Sequence, residues 1–205
     1  MSLLGGSSPS IFECDSNLRT PCTSVQGRRF EYLVGVQPSA TSIFPPAISL
    51  TRVQGAKTVG IFRETGANEL YFQAVRQGAL DGADDNRMQV VLDITVPYSG
   101  KLNDEAKANM KQVIAQLQQA QPDIVAGAVF AAGCHAFIQA AQEMNYTAPA
   151  FLLSVCTSDA PTFKKVLGDA GRYVTGTTLW DRRLSGRVFK EDASSLHFFP
   201  ATVCI

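Results

Sequence analysis

The chain has 205 residues, of which 18 are basic and 18 are acidic, so its formal net charge at neutral pH is zero. Proteins that bind nucleic acids or membrane surfaces usually carry an excess of basic residues, and this balance argues against both classes. An apolar fraction of 45% is typical of a folded globular chain. No stretch reaches the roughly 20 apolar residues of a membrane helix, and residues 1–4 run into Gly5 and Gly6 without the pattern of a signal peptide.

Strand and helix patterns alternate along most of the chain. A strand is predicted at 30–36, followed by a helix at 40–53 that begins or bends near Pro45 and Pro46. Apolar strands are then predicted at 57–62, 88–96, 124–130, 150–155 and 172–177, with amphipathic helices between them at 69–80, 104–121, 136–144 and after Asp159. This order predicts a doubly wound α/β fold, with a parallel sheet of strand order 2-1-3-4-5 covered on both faces.

Several kinds of chemistry are excluded by missing motifs. The turn at 63–69 holds one glycine, not the three of a dinucleotide fingerprint, and the sequence has no phosphate-binding Walker loop and no Gly-x-Ser-x-Gly elbow. Cys134 and His135 could form a nucleophilic pair, or a zinc site together with Cys156. Adjacent residues at a helix start point apart, however, so we interpret the two cysteines as small buried residues at strand ends. The sequence therefore predicts a protein that is not an enzyme and has no cofactor or metal.

Ligands of open α/β sheets lie beyond the carboxyl ends of the strands, where this sequence places hydroxyl, aromatic and small residues. Such a mixture predicts a pocket that recognises a small polar molecule by hydrogen bonds and an aromatic wall. The candidate ligand-binding residues on this edge are Glu64, Thr65, Gly66, Tyr98, Gly133, His135, Thr157 and Trp180. Alternatives remain open: both threonines are equally good helix caps, both aromatic residues could simply cover the sheet, and Glu64 could be a solvated charge instead of a group that binds an ammonium.

Two further features concern the cellular compartment. Cys14 and Cys22 lie in a polar, loop-like stretch that suits a small disulfide loop, which would indicate an oxidising compartment, although two free surface thiols are the alternative. Asn145 begins an Asn-Tyr-Thr sequon, an acceptor for N-glycosylation in a secreted eukaryotic chain.

Taken together, the segments from about residue 3 to 182 resemble the type I periplasmic-binding-protein superfamily. More narrowly they resemble its receptor-family ligand-binding region, shared by branched-chain amino acid binding proteins and eukaryotic receptor ectodomains. The likeness rests on the segments 3–8 (LLGGSS), 30–38 (FEYLVGVQP), 55–62 (GAKTVGIF) and 116–125, and on the segment around Gly176.

The resemblance implies a division of the chain into parts of two lobes. Residues 1–55 would be a remnant of lobe one, residues 56–182 a Rossmann-like lobe two, and residues 183–205 a return segment. Ser7 and Ser8 match the lobe-one turn that holds the polar head of the ligand. Thr65, Gly66 and Ala67 replace the aromatic-glycine pair often found at the start of lobe two. The opening half of lobe one is missing, so the chain is expected to be a piece of a longer receptor whose targeting segment lies elsewhere.

The function implied is binding of a small polar solute, an amino acid or a related amide, between two lobes that close on it. The protein would be extracellular, on the cell surface or periplasmic, and would serve transport or sensing. Its partners would be the ligand, the remainder of the parent receptor, a membrane permease or a signalling domain, and possible second copies of the chain, but no nucleic acid. Two alternatives are an ectodomain sensor of a eukaryotic signalling receptor and an α/β enzyme using Cys134 and His135. The apolar tail at 196–205 is expected to be displaced or to pack on another copy.

Overall fold

The fold is taken from a computed structural model, which describes residues 3–4, 34–35, 39–156, 160–171, 174–178 and 201–204. Strands and helices alternate through the main block. The elements are β1 (Leu3–Leu4), β2 (Val34–Gly35), α1 (Pro45–Val53), β3 (Thr58–Thr65), α2 (Glu69–Asp85), β4 (Gln89–Pro97), α3 (Asp104–Ala120), β5 (Ile124–Ala128), α4 (Ala131–Glu143), β6 (Ala150–Leu153), α5 (Ala160–Leu167), β7 (Val174–Thr178) and β8 (Ala201–Cys204). Short 3-10 turns lie at Ala40–Ser42 and Gly168–Gly171.

The main sheet has the order β4-β3-β5-β6-β7-β8. Its first five strands are parallel, and they confirm the predicted order 2-1-3-4-5. The sixth strand, β8, pairs antiparallel with β7, so the expectation that the tail is displaced or packs on another copy is wrong for residues 201–204. Strands β1 and β2 form a separate parallel pair.

Both faces of the sheet are covered, as the apolar strands predict. All five residues of β5 are buried, and so are Val59–Phe62 within β3. On one face α3, α4 and α5 contribute a core that contains Met110, Ile114 and Phe137. On the other face α1 and α2 contribute a second core. A strand buried on both faces must be apolar at every position, which is why the pattern in the sequence was continuous and not alternating.

Helix α1 packs on the same unit as the five parallel strands. Phe44, Ala47 and Ile48 are buried in the core that also contains Val59 and Phe72. Gly78 of α2 lies so close to the carbonyl oxygen of Thr41 that an added Cβ would collide with it. The lobe boundary expected after residue 55 therefore falls between α1 and β3, which share one core. The remaining boundaries of the two predicted lobes stay predictions.

Local sequence explains where α3 begins. The Asn103 side chain accepts a hydrogen bond from Ala106 N at 2.8 Å, and Asp104 and Glu105 occupy the first turn of α3, as expected for a capped amino terminus. Helix α4 differs, because it begins at Ala131, five residues before the expected start, and its first turn has no side-chain cap from Phe130. No helix among the described residues has the length and apolar character needed to span a membrane.

Candidate ligand-binding site

The direction of winding reverses between β3 and β5. From β3 the chain moves to β4 on one side and then crosses to β5 on the other side. In such sheets the crevice beyond the carboxyl ends of the two strands at this reversal is the usual ligand site. Here the residues at that crevice are Glu64, near the end of β3, and Phe130, which follows β5.

Glu64 is 0% exposed, although it carries a carboxyl group. Its Oε2 accepts a hydrogen bond from Phe130 N at 3.0 Å, whereas its Oε1 has no hydrogen-bond partner among the described residues. Burial raises the pKa of Glu64 from 4.5 to about 7, against the opposing effect of the Phe130 and Ser99 backbone. An added Cβ at Gly133 would collide with Oε1, so the first turn of α4 can approach the carboxyl only because residue 133 is glycine.

Two further links hold the loop between β5 and α4. Ser154, at the end of β6, accepts a hydrogen bond from Val129 N at 3.0 Å and donates one to Val129 O at 2.7 Å. Cys134 and Cys156 form a disulfide with Cα atoms 5.4 Å apart, which joins α4 to the turn after β6. Together with the Glu64 hydrogen bond, these links attach the loop to both neighbouring strands.

The disulfide corrects the interpretation of its two cysteines. Cys134 and Cys156 are buried, as the sequence predicted, but they are bonded to each other and are not separate apolar residues. A thiolate is required for both nucleophilic attack and zinc ligation. With both sulfurs in this disulfide, neither cysteine offers the thiolate that a nucleophilic Cys134 or a zinc site with Cys156 would need. The described residues contain no group of three or more His, Cys, Asp or Glu side chains placed to hold a metal ion.

Four aromatic side chains meet at this edge and form what we call the ring cluster: Tyr71, Phe72, Tyr98 and Phe130. Tyr71 stacks on Phe130 with ring centroids 5.2 Å apart and an interplanar angle of 15°. Phe72 and Tyr98 approach Phe130 at 4.8 Å and 6.1 Å in inclined geometries, as aromatic pairs prefer. Phe72 is fully buried, but the other three side chains are partly exposed.

Several polar groups that were predicted to contact a ligand at this edge are hydrogen-bonded within the protein instead. Thr65 Oγ1 donates to Val96 O at 3.3 Å, and Gly66 N donates to Glu69 Oε2 at 3.0 Å. Glu69 also pairs with Arg63. The hydrogen bond from Gly66 N is the main reason that the pKa of Glu69 is lowered.

Gly133 and His135 lie inside α4 and not in a loop. The side chain of His135 is only 6% exposed, its ring centroid lies 6.2 Å from that of Phe163, and its Nε2 has no hydrogen-bond partner among the described residues. Burial lowers the pKa of His135, which favours the neutral imidazole. That Gly133 and His135 contact a ligand stays a prediction.

The remaining predicted residues lie elsewhere. Asn145 is exposed just after α4, at the end of the sheet opposite the ring cluster, with a φ of 49°. The residues that fall outside the described part of the chain are Ser7, Ser8, Cys14, Cys22, Thr157 and Trp180.

Sequence reasoning did not select Tyr71, Phe130 or Ser154 for this edge. Tyr71 falls within the amphipathic helix predicted at 69–80, and Phe130 is the last residue of the strand predicted at 124–130. The sequence signal that could have found them was the presence of aromatic residues just after several predicted strands, of which only Tyr98 was selected.

Comparison with known proteins identifies the family. A family model described as "Periplasmic binding protein" matches residues 18–189. The chain belongs to the periplasmic binding protein family. No curated protein matches its sequence.

Solved structures of this family share the fold at low sequence identity. A leucine-, isoleucine-, valine-, threonine- and alanine-binding protein from Brucella ovis aligns with a TM-score of 0.63 and 18% identity, over 76% of this chain and 37% of that chain. A solute binding protein of an ABC transporter from R. palustris, in complex with benzoate, aligns at 0.61 and 15%, over 75% and 39%. A branched chain amino acid ABC transporter from Thermus thermophilus with bound valine aligns at 0.61 and 16%, over 75% and 37%. The chain thus spans less than half the length of these solved proteins.

Proposed function

We propose that this chain forms most of one lobe of a solute-binding protein, whose ligand is a small molecule held against the carboxyl edge of the sheet. The observation that supports this proposal most directly is the construction of that edge. A loop attached to both neighbouring strands carries Phe130, which packs with the partly exposed rings of Tyr71 and Tyr98 at the point where the winding reverses. Binding there requires no catalytic group, and no bond of the ligand is broken.

The other lobe, which the resemblance calls lobe one, would be formed by residues outside the described block and by the remainder of a longer protein. Closure of the two lobes on the ligand would shift the population from an open to a closed form, as binding to one of two conformations does in general. Residues 1–38 and 183–200 are the parts of this chain that we assign to the other lobe and the return from it, since residues 201–204 pair with β7 of this lobe.

The compartment that we propose is periplasmic or extracellular. The disulfide between Cys134 and Cys156 supports this location, because such bonds persist mainly in oxidising compartments. The neighbours bind leucine and related amino acids, valine or benzoate, and two of them are described as parts of ABC transporters. A membrane permease is therefore the partner that we propose. A signalling ectodomain is a second candidate, favoured by the exposed Asn145 sequon.

Ligand mapping by NMR tests the proposal on the full chain. Isotope-labelled protein would be titrated with leucine, valine and benzoate up to roughly 10 mM, since a lone lobe is expected to bind only in the millimolar range. We expect at least one solute to shift the amide signals of Gly66, Tyr98 and Phe130. Signals of Asp123 and Ala150, at the opposite edge, serve as the internal control. Shifts confined to that opposite edge, or none with any of the three solutes, would contradict the proposal.

A further inference from the structure

Among the described residues, the carboxyl edge offers a ligand few free polar groups. The Glu64 carboxyl is buried, the Thr65 hydroxyl donates to Val96 O, and the Gly66 N–H donates to Glu69. Ser154 is also engaged, through both of its hydrogen bonds with Val129. A ligand that reaches this edge would therefore have to break internal hydrogen bonds in order to gain polar contacts of its own. Such an exchange gives little net affinity.

What the edge does offer is aromatic surface. Tyr71, Tyr98 and Phe130 are partly exposed there, and Leu70, at the start of α2, is 70% exposed. The rings are held in place, because Phe130 is stacked on Tyr71 and its backbone N–H is fixed by Glu64. A rigid aromatic surface binds a flat apolar group with little loss of side-chain entropy.

We propose that this lobe binds the aromatic portion of its ligand on the ring cluster, so that the ligand is an aromatic or similarly flat molecule and not an aliphatic amino acid. This inference rests on the proposed function and makes the ligand class more specific. It differs from the class predicted from the sequence, a small polar solute recognised mainly by hydrogen bonds.

The position of Glu64 also determines how the ligand is oriented. The amino terminus of α4 would otherwise attract the anionic end of a ligand. Its first turn already lies against the Glu64 carboxyl, which accepts the hydrogen bond of Phe130 N. A second carboxylate in the same place would meet a like charge whenever Glu64 is ionised. The polar end of the ligand therefore points away from this lobe.

A pair of matched probes tests the aromatic requirement. Benzoate and cyclohexanecarboxylate carry the same carboxylate on six-membered rings, but only benzoate is flat and aromatic. In NMR titrations of the full chain, benzoate is expected to bind the carboxyl edge roughly threefold to tenfold more tightly than cyclohexanecarboxylate or leucine. Equal affinity for the two ring acids, or tighter binding of leucine, would overturn the inference.

Two matched variants locate the contact. Phe130→Leu removes a ring of the cluster but keeps the backbone N–H that Glu64 needs, so benzoate should bind roughly threefold to tenfold more weakly. Phe151→Leu is the control, because Phe151 is also a partly exposed ring but packs near Phe137 and Tyr146 on another part of the protein. Unfolding curves of both variants would show whether they are folded, and Tyr98→Leu replaces Phe130→Leu if that variant is not. Unchanged benzoate affinity in the folded cluster variant would overturn the inference.

The outcomes separate this inference from the proposed function. If leucine or valine shifts the edge signals and the cluster variant binds them normally, the ring-cluster inference fails and the solute-binding function stands. If no solute shifts the edge signals, the function fails as well.

Discussion

Two carboxylates connect β3 and β5, one at each end of the strands, and they behave in opposite ways. At the amino end, Asp123 Oδ2 accepts hydrogen bonds from Lys57 N at 2.7 Å and from Thr58 N at 2.9 Å. Asp123 N in turn donates a hydrogen bond to Thr58 Oγ1 at 2.8 Å. At the carboxyl end, Glu64 Oε2 accepts a hydrogen bond from Phe130 N, while Oε1 has no hydrogen-bond partner among the described residues.

The surroundings explain the difference. The pKa of Asp123 is lowered because the Lys57 and Thr58 backbone groups stabilise its charged form. The pKa of Glu64 is raised because burial disfavours the charge more than its hydrogen bonds favour it. Asp123 thus stabilises the fold, whereas an ionised Glu64 reduces its stability. A group that is retained at a cost to stability, at the usual ligand edge, is a candidate for a functional role.

The largest effect is expected where α4 approaches Glu64. Gly133→Ala places a methyl group against the Glu64 carboxyl, and overpacking of this kind is expected to lower the free energy of unfolding by about 2–3 kcal/mol. Urea denaturation measures the loss. Combining the change with Glu64→Ala should recover part of it, because the two side chains no longer collide.

Gly100→Ala is the matched control for this experiment. Its added Cβ would meet only an ordinary contact with Tyr98 Cε1 at 3.5 Å. Similar losses for the two glycine variants would show that the Glu64 contact is not what makes Gly133 necessary.

The pH dependence of stability isolates the charge of Glu64. Its pKa is raised from 4.5 to about 7, so between these values the folded protein holds a proton that the unfolded chain releases, and stability falls as the pH rises. Glu64→Gln cannot ionise but can still accept the hydrogen bond from Phe130 N. The variant should equal the wild type near pH 4 and exceed it by up to about 3 kcal/mol at pH 8.

Urea denaturation at several pH values provides the measurement, with Glu105→Gln, exposed in the first turn of α3, as the control. Parallel profiles for Glu64→Gln and the wild type would refute the account of a buried, destabilising charge.

A smaller effect of opposite sign is expected at Asp123. Its pKa is lowered, so its contribution is present above the unfolded value of 3.8 and disappears as the pH falls through the folded value. Asp123→Asn weakens the hydrogen bonds from Lys57 N and Thr58 N and should cost about 1 kcal/mol at pH 7, with a smaller difference in acid. Thermal unfolding at pH 7 and pH 3 tests this, and a loss that stays constant with pH would contradict it.

The architecture could be predicted because its signals are local. The central strand β5 is a continuous apolar run, and the start of α3 is marked by the Asn103 cap. Strand β8 was missed, because a short segment that pairs only with β7 carries no comparable pattern of its own.

The candidate site could be predicted only in part, because the interactions that form it are not local. The start of α4 was placed too late, since its first N–H is satisfied by Glu64, 66 residues earlier in the sequence, and not by a neighbouring cap. The link between Cys134 and Cys156 spans 22 residues, and cysteine spacing does not specify pairing. The sequence placed Glu64, Thr65 and Tyr98 at the carboxyl edge of the sheet, but β3 continues through Thr65, three residues beyond the predicted end of that strand.

The tight packing of Gly78 against Thr41 has a mechanical consequence. The 3-10 turn at Ala40–Ser42, helix α1 and helix α2 are held together by backbone contact that leaves no room for sliding. If this lobe rotates against a neighbour, α1 must travel with it as part of the same rigid body. The pivot of such a rotation would then lie on the amino-terminal side of Ala40, and not at the glycine that separates α1 from β3.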